Sequence, residues 1–274
     1  MKLYKDLYDE GMKLQVFVDI STYCNAGCPE CHRTEIEKGG LGKVDWLPLV
    51  QWTAEEFMNA YEPEFVKKVK LWEICGTWGD PVMCKELYEI CDYILDHNPY
   101  CELTIDTNGS VRPISWWTKM GELSKKCKGP RIRFDFAIEG INQDMQEKYR
   151  RKTRLDIILA NLKAVTDAGA KAKGFCVIHK HNQDYLQEIL HMCQSYGAET
   201  VDFVESNRFY NGPRFEFINE KYERDYLEQA EGDYVKPKYI RGAQVDWKTR
   251  TEFQPWFLEM QKKVSEVKDE EDIY

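Results

Sequence analysis

Six apolar runs rich in β-branched residues recur along the first three quarters of the chain, and segments with helical periodicity separate them. The runs lie at residues 15–20, 70–75, 102–106, 131–138, 173–178 and 201–205. Helices are predicted over residues 53–68, 84–97, 115–126, 155–168 and 184–196. Strands that alternate with helices of about 10–15 residues indicate βαβ units and a parallel sheet. Because no strong seventh or eighth unit follows, the pattern predicts an α/β fold, an open partial (β/α)6 parallel barrel with functional groups at the carboxyl ends of its strands.

The fourth run presents two different faces. Its aromatic residues point one way, whereas Asp135, Ala137 and Glu139 point the other way. The apolar face suits a covering layer of helices, and the small and acidic face suits the lumen of a barrel. An edge strand with one wet face is the other interpretation, but helices predicted on both sides favour a central strand.

Three cysteines directly follow the first predicted strand, in the stretch STYCNAGCPECHRTE at residues 21–35. Cys24, Cys28 and Cys31 have the spacing C-x3-C-x2-C, and such thiolates select zinc, copper(I) or an iron–sulfur cluster. A structural zinc site normally has four ligands, but His32 directly adjoins Cys31 and no second C-x-x-C follows. A [4Fe–4S] cluster is usually held by four cysteines, so three would leave one iron open. The loop therefore favours a chemical site over a purely structural one.

The cysteine loop and several later segments together resemble the radical S-adenosylmethionine (radical SAM) enzymes. CNAGCPEC at 24–31 is similar to the cluster loop of that family, and ICGTWGDP at 74–81 is similar to its Gly-Glu-Pro motif after the second strand. TNG at 107–109 and AIEG at 137–140 resemble the endings of its third and fourth strands. Arg150 falls where such enzymes often carry an arginine before the next helix. The resemblance covers roughly residues 13–207.

The resemblance implies a mechanism and two cofactors. Cys24, Cys28 and Cys31 would hold a [4Fe–4S] cluster, and S-adenosylmethionine (SAM) would occupy the fourth iron through its amino and carboxylate groups. An electron from the cluster would cleave the sulfonium to methionine and a 5′-deoxyadenosyl radical, which abstracts hydrogen from a substrate. The implied electron donor is a flavodoxin or a ferredoxin. Whether the enzyme is an oxidoreductase or a transferase stays open.

The resemblance also implies which residues contact SAM. The implied cofactor-binding residues are Thr77, Gly79, Asp80, Asn108, Glu139 and Arg150. Gly79 would permit a close backbone approach to a ligand, Asp80 and nearby carbonyls would accept from the SAM ammonium, and Arg150 would grip the SAM carboxylate. Glu139 would meet the ribose hydroxyls. The alternatives are a surface ion pair for Arg150, with Arg151 serving instead, a position next to a helix N-cap for Glu139, and a simple turn at residues 79–81.

Three positions depart from the family pattern. Glu30 stands before the third cysteine, where the family usually has an aromatic residue, so packing near the adenine differs. Asp80 replaces the usual Glu and is one methylene shorter. Ala137 replaces a usual Ser, which removes a side-chain contact to SAM.

Composition sets limits on partners and location. The net charge is −9, which argues against nonspecific nucleic-acid binding, since phosphate contacts need a basic face. No run approaches 18 apolar residues, so no membrane span is expected, and the mixed-charge N-terminus predicts a soluble, cytoplasmic chain without a signal peptide. In that setting the ten cysteines are expected to be thiols and metal ligands and not disulfides. Apart from the cluster loop they are expected to pack in the core, although Cys75 or Cys176 would donate hydrogen if it faced the lumen.

The last part of the chain is expected to differ from the rest. A radical SAM core is predicted over residues 1–207, and residues 208–274 form a short, mainly helical extension that covers the barrel opening. Helices are predicted over 216–230 and 253–267, with an irregular segment at 233–250. No cysteine follows Cys193, which predicts a single cluster. Four basic residues of the extension would bind an anionic substrate or lie free on the surface: Lys236, Lys238, Arg241 and Arg250.

Three functions remain open from the sequence. A radical SAM enzyme that acts on a peptide or protein side chain is the first, because the core most resembles the branch of peptide maturases and sulfatase-maturing enzymes. The second is the same chemistry on a nucleotide or other small metabolite, which a short single-cluster chain would suit. The third is a zinc-binding interaction protein without catalysis.

Overall fold

Six parallel strands form one curled sheet, an open half-barrel, in the computed structural model, which describes residues 14–234 and 254–269. The strand order follows the sequence, β1 to β6, so each strand pairs with the next. The strands are β1 (Leu14–Val18), β2 (Val69–Ile74), β3 (Glu102–Thr107), β4 (Arg133–Ala137), β5 (Lys171–Ile178) and β6 (Val201–Glu205). The predicted partial barrel is thus confirmed.

The helices of the core lie between these strands. They are α1 (Ala54–Ala60), α2 (Pro63–Val66), α3 (Leu87–His97), α4 (Ile114–Glu122), α5 (Gln143–Tyr149), α6 (Leu155–Asp167) and α7 (Leu186–Ser195). The helix predicted over 53–68 is split in two, because a residue before proline avoids the helical conformation and Pro63 begins α2. Its predicted N-terminus is confirmed, since Thr53 and Glu56 form a capping box. The sequence prediction missed α5.

The two faces of β4 have the predicted environments. Phe134 and Phe136 are fully buried against Trp117 of α4, with ring centroids 5.7 and 5.2 Å away. Asp135 and Ala137 line the cavity inside the half-barrel, whereas Glu139, predicted on the same face, follows the strand and is buried without lining the cavity. The strand is central, because it pairs with β3 on one side and with β5 on the other.

Residues after β6 begin with a β-hairpin, so the prediction of a helix over 216–230 was wrong. The hairpin strands β7 (Arg214–Ile218) and β8 (Arg224–Glu228) are antiparallel. Charged residues alternate with apolar ones in β7, a period of two that suits a strand with one buried face, and Phe217 of β7 and Leu227 of β8 are buried. Asn219 turns the chain, since its side-chain oxygen accepts from the amides of Lys221 and Glu223.

A final helix, α8 (Gln254–Ser265), agrees with the helix predicted over 253–267, and α8 packs on α6. The predicted irregular segment at 233–250 lies mostly outside the described residues. The same holds for all four basic residues proposed to bind an anion, Lys236, Lys238, Arg241 and Arg250. Among the helices of residues 14–234 and 254–269, none has both the length and the apolarity needed to cross a membrane.

Candidate active site

A cavity of about 540 Å³ opens inside the half-barrel and extends from the first three residues of β4 and β5 to the loops that follow β1, β2 and β3. Two groups of side chains line it. We call the first the cysteine side, which comprises Cys24, Cys28, Cys31, Arg33, Asn108 and Arg150. We call the second the charged wall, which comprises lumen-facing residues of β2 to β5: Glu73, Asp106, Arg133, Asp135 and Lys173. The cysteine side lies at the carboxyl ends of the strands, whereas Arg133, Asp135 and Lys173 of the charged wall lie among the first three residues of β4 and β5.

The three cysteines of the loop come together on the cysteine side as free thiols. Cys28 is buried, and Cys24 and Cys31 are partly buried. Burial raises the pKa of Cys24, and the carboxylate of Asp80 raises it further. Burial also raises the pKa of Cys28, against the opposing charge of Arg150. Binding of a metal centre to these thiols would therefore release protons.

The donors around the thiols fit a [4Fe–4S] cluster. Asn108 Nδ2 lies 3.7 Å from Cys24 Sγ, and Arg150 Nη1 lies 3.6 Å from Cys28 Sγ. Hydrogen bonds and positive charge of this kind stabilise the sulfur atoms of such clusters. The buried Nε of Arg33 also lacks a partner among the described residues. Within the described chain, no three Cys, His, Asp or Glu residues are arranged to hold a single metal ion, whereas a cluster binds each thiolate through a different iron.

Asp80 is buried and fixes the turn after β3. Its carboxylate accepts from Thr107 Oγ1 at 2.9 Å, from the Asn108 amide at 2.7 Å and from the Val82 amide at 3.1 Å. A carboxylate has about four lone-pair positions, so these donors leave little capacity for a ligand. Asp80 still lines the cavity, and its main contacts hold Asn108 toward the cysteines.

Gly79 is needed for contact within the protein. A Cβ added there would lie 2.2 Å from the carbonyl oxygen of Ser21 and 2.7 Å from the Cα of Thr22. The close approach at this position is therefore to the start of the cysteine loop. Thr77 lines the cavity nearby, and its amide donates to the carboxylate of Asp19 at 2.9 Å.

Asn108 bridges the third strand and the cysteine loop. Its Nδ2 donates to Asn25 Oδ1 at 2.9 Å as well as facing Cys24, and its Oδ1 accepts from the amide of Ser110. The side chain is buried, so these contacts fix its orientation. The structure therefore brings Asn108 to the cysteines.

Glu139 and Arg150 form a buried ion pair. Arg150 Nε lies 2.6 Å from Glu139 Oε1, and the side chain of Glu139 is fully buried and does not line the cavity. Although burial opposes it, the carboxylate raises the pKa of Arg150 and keeps the guanidinium charged beside Cys28. Arg151, the alternative to Arg150, instead pairs with Glu220 and Asp225 of the hairpin segment, at 2.7 and 2.5 Å.

The charged wall was not predicted as a site. Lys173 pairs with Asp135 and Asp202, and Arg133 also pairs with Asp135. Burial, then Asp135 and Glu73, raise the pKa of Asp106 to about 7. Among the described residues, the side chains of Asp106 and Glu73 make no ion pair or hydrogen bond, although both line the cavity.

Of the two cysteines proposed to face the lumen, Cys75 lines the cavity, whereas Cys176 is fully buried elsewhere. Burial, with the carboxylates of Asp106 and Glu73, raises the pKa of Cys75 to about 12, so it stays a thiol. The remaining cysteines outside the loop are buried or partly buried free thiols, as predicted.

Comparison with known proteins identifies the family. The family model described as "Radical SAM superfamily" matches residues 18–193. The chain belongs to this superfamily and is an enzyme of the radical SAM class. Enzymes of the family use a [4Fe–4S] cluster and SAM, the cofactors that the sequence implied.

Curated relatives and solved structures add detail. GTP 3′,8-cyclase of Aliarcobacter butzleri is 24% identical over 198 residues, which cover 69% of this chain and 55% of the relative. The enzyme of the same name from Nautilia profundicola is 24% identical over 203 residues, with 71% and 58% covered. The chain thus spans little more than half the length of these relatives.

Two solved structures share the fold. Streptococcus suis SuiB aligns with a TM-score of 0.55 at 14% identity, covering 73% of this chain and 41% of SuiB. The enzyme anSMEcpe, solved with AdoMet bound, aligns with a TM-score of 0.52 at 11% identity, covering 69% of this chain and 50% of that one. At this identity the likeness concerns the fold alone.

Proposed function

We propose that Cys24, Cys28 and Cys31 hold the [4Fe–4S] cluster and that SAM binds beside them in the cavity. When bound, this pair supplies reductive cleavage of the sulfonium to methionine and a 5′-deoxyadenosyl radical. Arg150 contributes a fixed positive charge next to Cys28, and Glu139 holds that charge in place. Asp80 acts mainly by orienting Asn108, which lies next to Cys24.

The substrate binds against the charged wall in this proposal. The observation that carries it is the pair of carboxylates, Glu73 and Asp106, which line the cavity without a cationic partner among the described residues. Both cations of the wall are already paired with carboxylates. A group with a positive charge would therefore complete the wall, whereas a triphosphate would face an excess of acid.

We infer that the enzyme abstracts hydrogen from a peptide or protein side chain, and that the substrate presents a basic group to Glu73 and Asp106. A nucleotide is the second candidate, and the similarity to two GTP 3′,8-cyclases over about two thirds of the chain favours it. The two candidates differ in charge, which makes the wall the part of the site that distinguishes them.

We further propose that the segment after residue 207 closes the open side of the half-barrel. The hairpin region supports this through main-chain bonds from Ile218 to Ile36 and from Gly40 to Asn219, at 2.8 and 3.1 Å. Arg151 adds its two ion pairs from the core to the hairpin. These contacts join the loop after the cysteines to the extension.

The test is release of 5′-deoxyadenosine by the anaerobically reconstituted, dithionite-reduced protein. A pool of short peptides rich in Lys and Arg should accelerate release, and GTP should not. In Glu73→Gln and Asp106→Asn the acceleration by peptides should fall, whereas the slow release without substrate should persist. Asp167→Asn, a change on the exposed surface of α6, is the control. If GTP accelerates release and the peptides do not, and if this acceleration is unchanged in Glu73→Gln and Asp106→Asn, the basic peptide is rejected and the nucleotide is favoured.

A further inference from the structure

Glu30 is a buried carboxylate inside the cysteine loop. It lies between Cys28 and Cys31, at the position where the family pattern has an aromatic residue, and its side chain is 2% exposed. A carboxylate removed from water needs partners that compensate for the lost hydration. The identity of those partners tells what this residue does.

Two strand ends supply the partners. Glu30 Oε2 lies 3.2 Å from Nε2 of His179, which follows β5, and it accepts from Oγ of Ser206, which follows β6, at 2.8 Å. His179 is fully buried, and its ring lies 4.8 Å from the ring of Tyr149. One side chain of the cysteine loop is thus anchored to the far half of the sheet.

The contacts continue from His179 back to the cysteines. The amide of His179 donates to Asn182 Oδ1 at 2.8 Å, and Asn182 Nδ2 donates to the carbonyl of Glu139 at 3.0 Å. Glu139 holds Arg150, whose guanidinium faces Cys28. The path therefore forms a closed buried circuit that starts and ends within the cysteine loop.

We propose that Glu30 and His179 are positioning residues that orient the Cys28–Cys31 segment. An aromatic residue at this position has no carboxylate to make such hydrogen bonds, whereas Glu30 Oε2 contacts both His179 and Ser206. Through Cys28, Cys31 and Arg150 the circuit sets where SAM lies relative to the cysteines. This inference rests on the proposed role of the three cysteines.

The experiment compares Glu30→Gln, His179→Gln and the double variant with the wild-type protein. The control is His181→Gln, because the ring of His181 stacks on His179 at 5.5 Å without a described contact to Glu30. Iron content, the EPR spectrum of the reduced cluster with increasing SAM, and urea unfolding of the cluster-free chain are measured. We expect a full complement of iron in all variants. The dissociation constant of SAM should rise about 10-fold in the three test variants and stay unchanged in the control.

The outcomes separate positioning from plain packing. A SAM dissociation constant equal to that of the wild type in both single variants, or an equal rise in His181→Gln, would overturn the proposal. If either test variant does not fold, Ser206→Ala decides. A smaller rise in the same direction supports positioning, and the wild-type value overturns it.

Failure of the proposed function would look different. If the wild-type protein itself shows no change in its EPR spectrum with SAM, the assigned role of the cysteines is wrong. The unfolding of the cluster-free chain then still tests the contact. If Glu30 and His179 act through their mutual contact, the double variant should unfold at the same urea concentration as the less stable of the two single variants. If the losses of unfolding free energy in the two single variants instead add up in the double variant, the two residues are not coupled.

Discussion

On the cysteine side of the cavity, Asn108 and Arg150 are fixed by hydrogen bonds to other elements of the half-barrel, as is the neighbouring Asp80. On the charged wall, Glu73 and Asp106 project from β2 and β3 without such a partner in the described chain. These three side chains are oriented before any ligand binds, although in the first region the buried Nε of Arg33 lacks a partner among the described residues. In the second region, the carboxylates of Glu73 and Asp106 have no cationic partner among the described residues. Partial burial of such a group disfavours its charged form, and this desolvation raises the pKa of Asp106.

The difference indicates a division of labour within one cavity. A preorganised region suits a step that is common to a whole family, since its geometry need not adapt. Unpaired charges suit recognition, because a ligand of complementary charge relieves them and a ligand of like charge does not. Changes on the cysteine side should therefore affect SAM cleavage itself, and changes on the wall should affect the response to substrate.

The largest expected effect comes from removing a thiol on the cysteine side, and removal of a thiol next to the charged wall is its comparison. Cys28→Ala should abolish formation of 5′-deoxyadenosine, because a proposed cluster ligand is lost. Cys75→Ala removes a thiol that lines the same cavity next to the wall, and it should keep the cluster and the substrate-free release. Iron analysis and mass spectrometry measure both. Loss of iron in Cys75→Ala, or retention of iron in Cys28→Ala, would contradict the assignment of cluster binding to the cysteine side and of recognition to the wall.

Next in size is the buried pair of Glu139 and Arg150. Removing one partner of such a pair leaves an uncompensated buried charge and costs about 3–5 kcal/mol of unfolding free energy. Glu139→Leu and Arg150→Met should each lose about this much, and the double variant that combines the two changes should recover most of it. Urea unfolding of the cluster-free chain measures the cycle.

The same variants separate stability from function. SAM should bind weakly in the double variant although its stability is restored, because the positive charge beside Cys28 is gone. Recovery of both stability and SAM affinity would mean that Arg150 acts only in folding. The arginine was predicted from the sequence, but its partner was not. Glu139 was expected at the ribose, and only the fold shows its burial away from the cavity.

The six strands and the cysteine loop could be predicted from local patterns. A strand that is buried on both faces is a short apolar run, and the spacing of the cysteines lies within eight residues. The hairpin failed because the charges of residues 216–230 were interpreted as a solvated helix, while the alternation around Phe217 was missed. Contacts between distant segments were out of reach. The pairing of Glu30 with His179 joins residues 149 apart in sequence and depends on how β5 ends beside the loop.

The charged wall shows the same limit. The face of β4 that carries Asp135 was predicted to point to the lumen, and it does. Which charges meet there depends on strand register, which places Asp135 beside Asp106 on one side and Lys173 on the other. No pattern within a single strand encodes that neighbourhood.

Asp106 should make stability depend on pH. Its pKa is raised from 3.8 to about 7, so the folded chain binds the proton more tightly than the unfolded chain. This group therefore lowers stability as pH rises from about 4 to about 7, by up to about 4 kcal/mol at about 1.4 kcal/mol per unit. Asp106→Asn should be more stable than the wild type at pH 8 and similar at pH 4. Thermal unfolding across pH measures the difference.

Asp225 on the hairpin provides a control of opposite sign. Hydrogen bonding to the Tyr226 amide, with Lys148 and Arg151 nearby, lowers the pKa of Asp225 despite partial burial. Its contribution to stability is present above the unfolded pKa and is lost as pH falls through the folded one. Asp225→Asn should thus be less stable than the wild type at pH 7 and equal to it in acid. If Asp106→Asn and Asp225→Asn change stability in the same direction as pH rises, the carboxylates of the wall and of the hairpin do not differ in their electrostatic environment.

The smallest of these effects concerns Gly76 and Gly79, in the segment after β2 that connects the charged wall to the cysteine side. A Cβ at Gly79 would collide with the backbone of Ser21 and Thr22, whereas at Gly76 the nearest atom is the Gly79 carbonyl oxygen at 3.2 Å. Overpacking of this kind costs about 1–3 kcal/mol, so Gly79→Ala should lower the unfolding free energy by about that amount and Gly76→Ala by less. Because Ser21 begins the cysteine loop, Gly79→Ala should also bind less iron. Equal stability and equal iron content in the two variants would show that the loop tolerates displacement, and that the cysteine side is less rigid than its hydrogen bonds indicate.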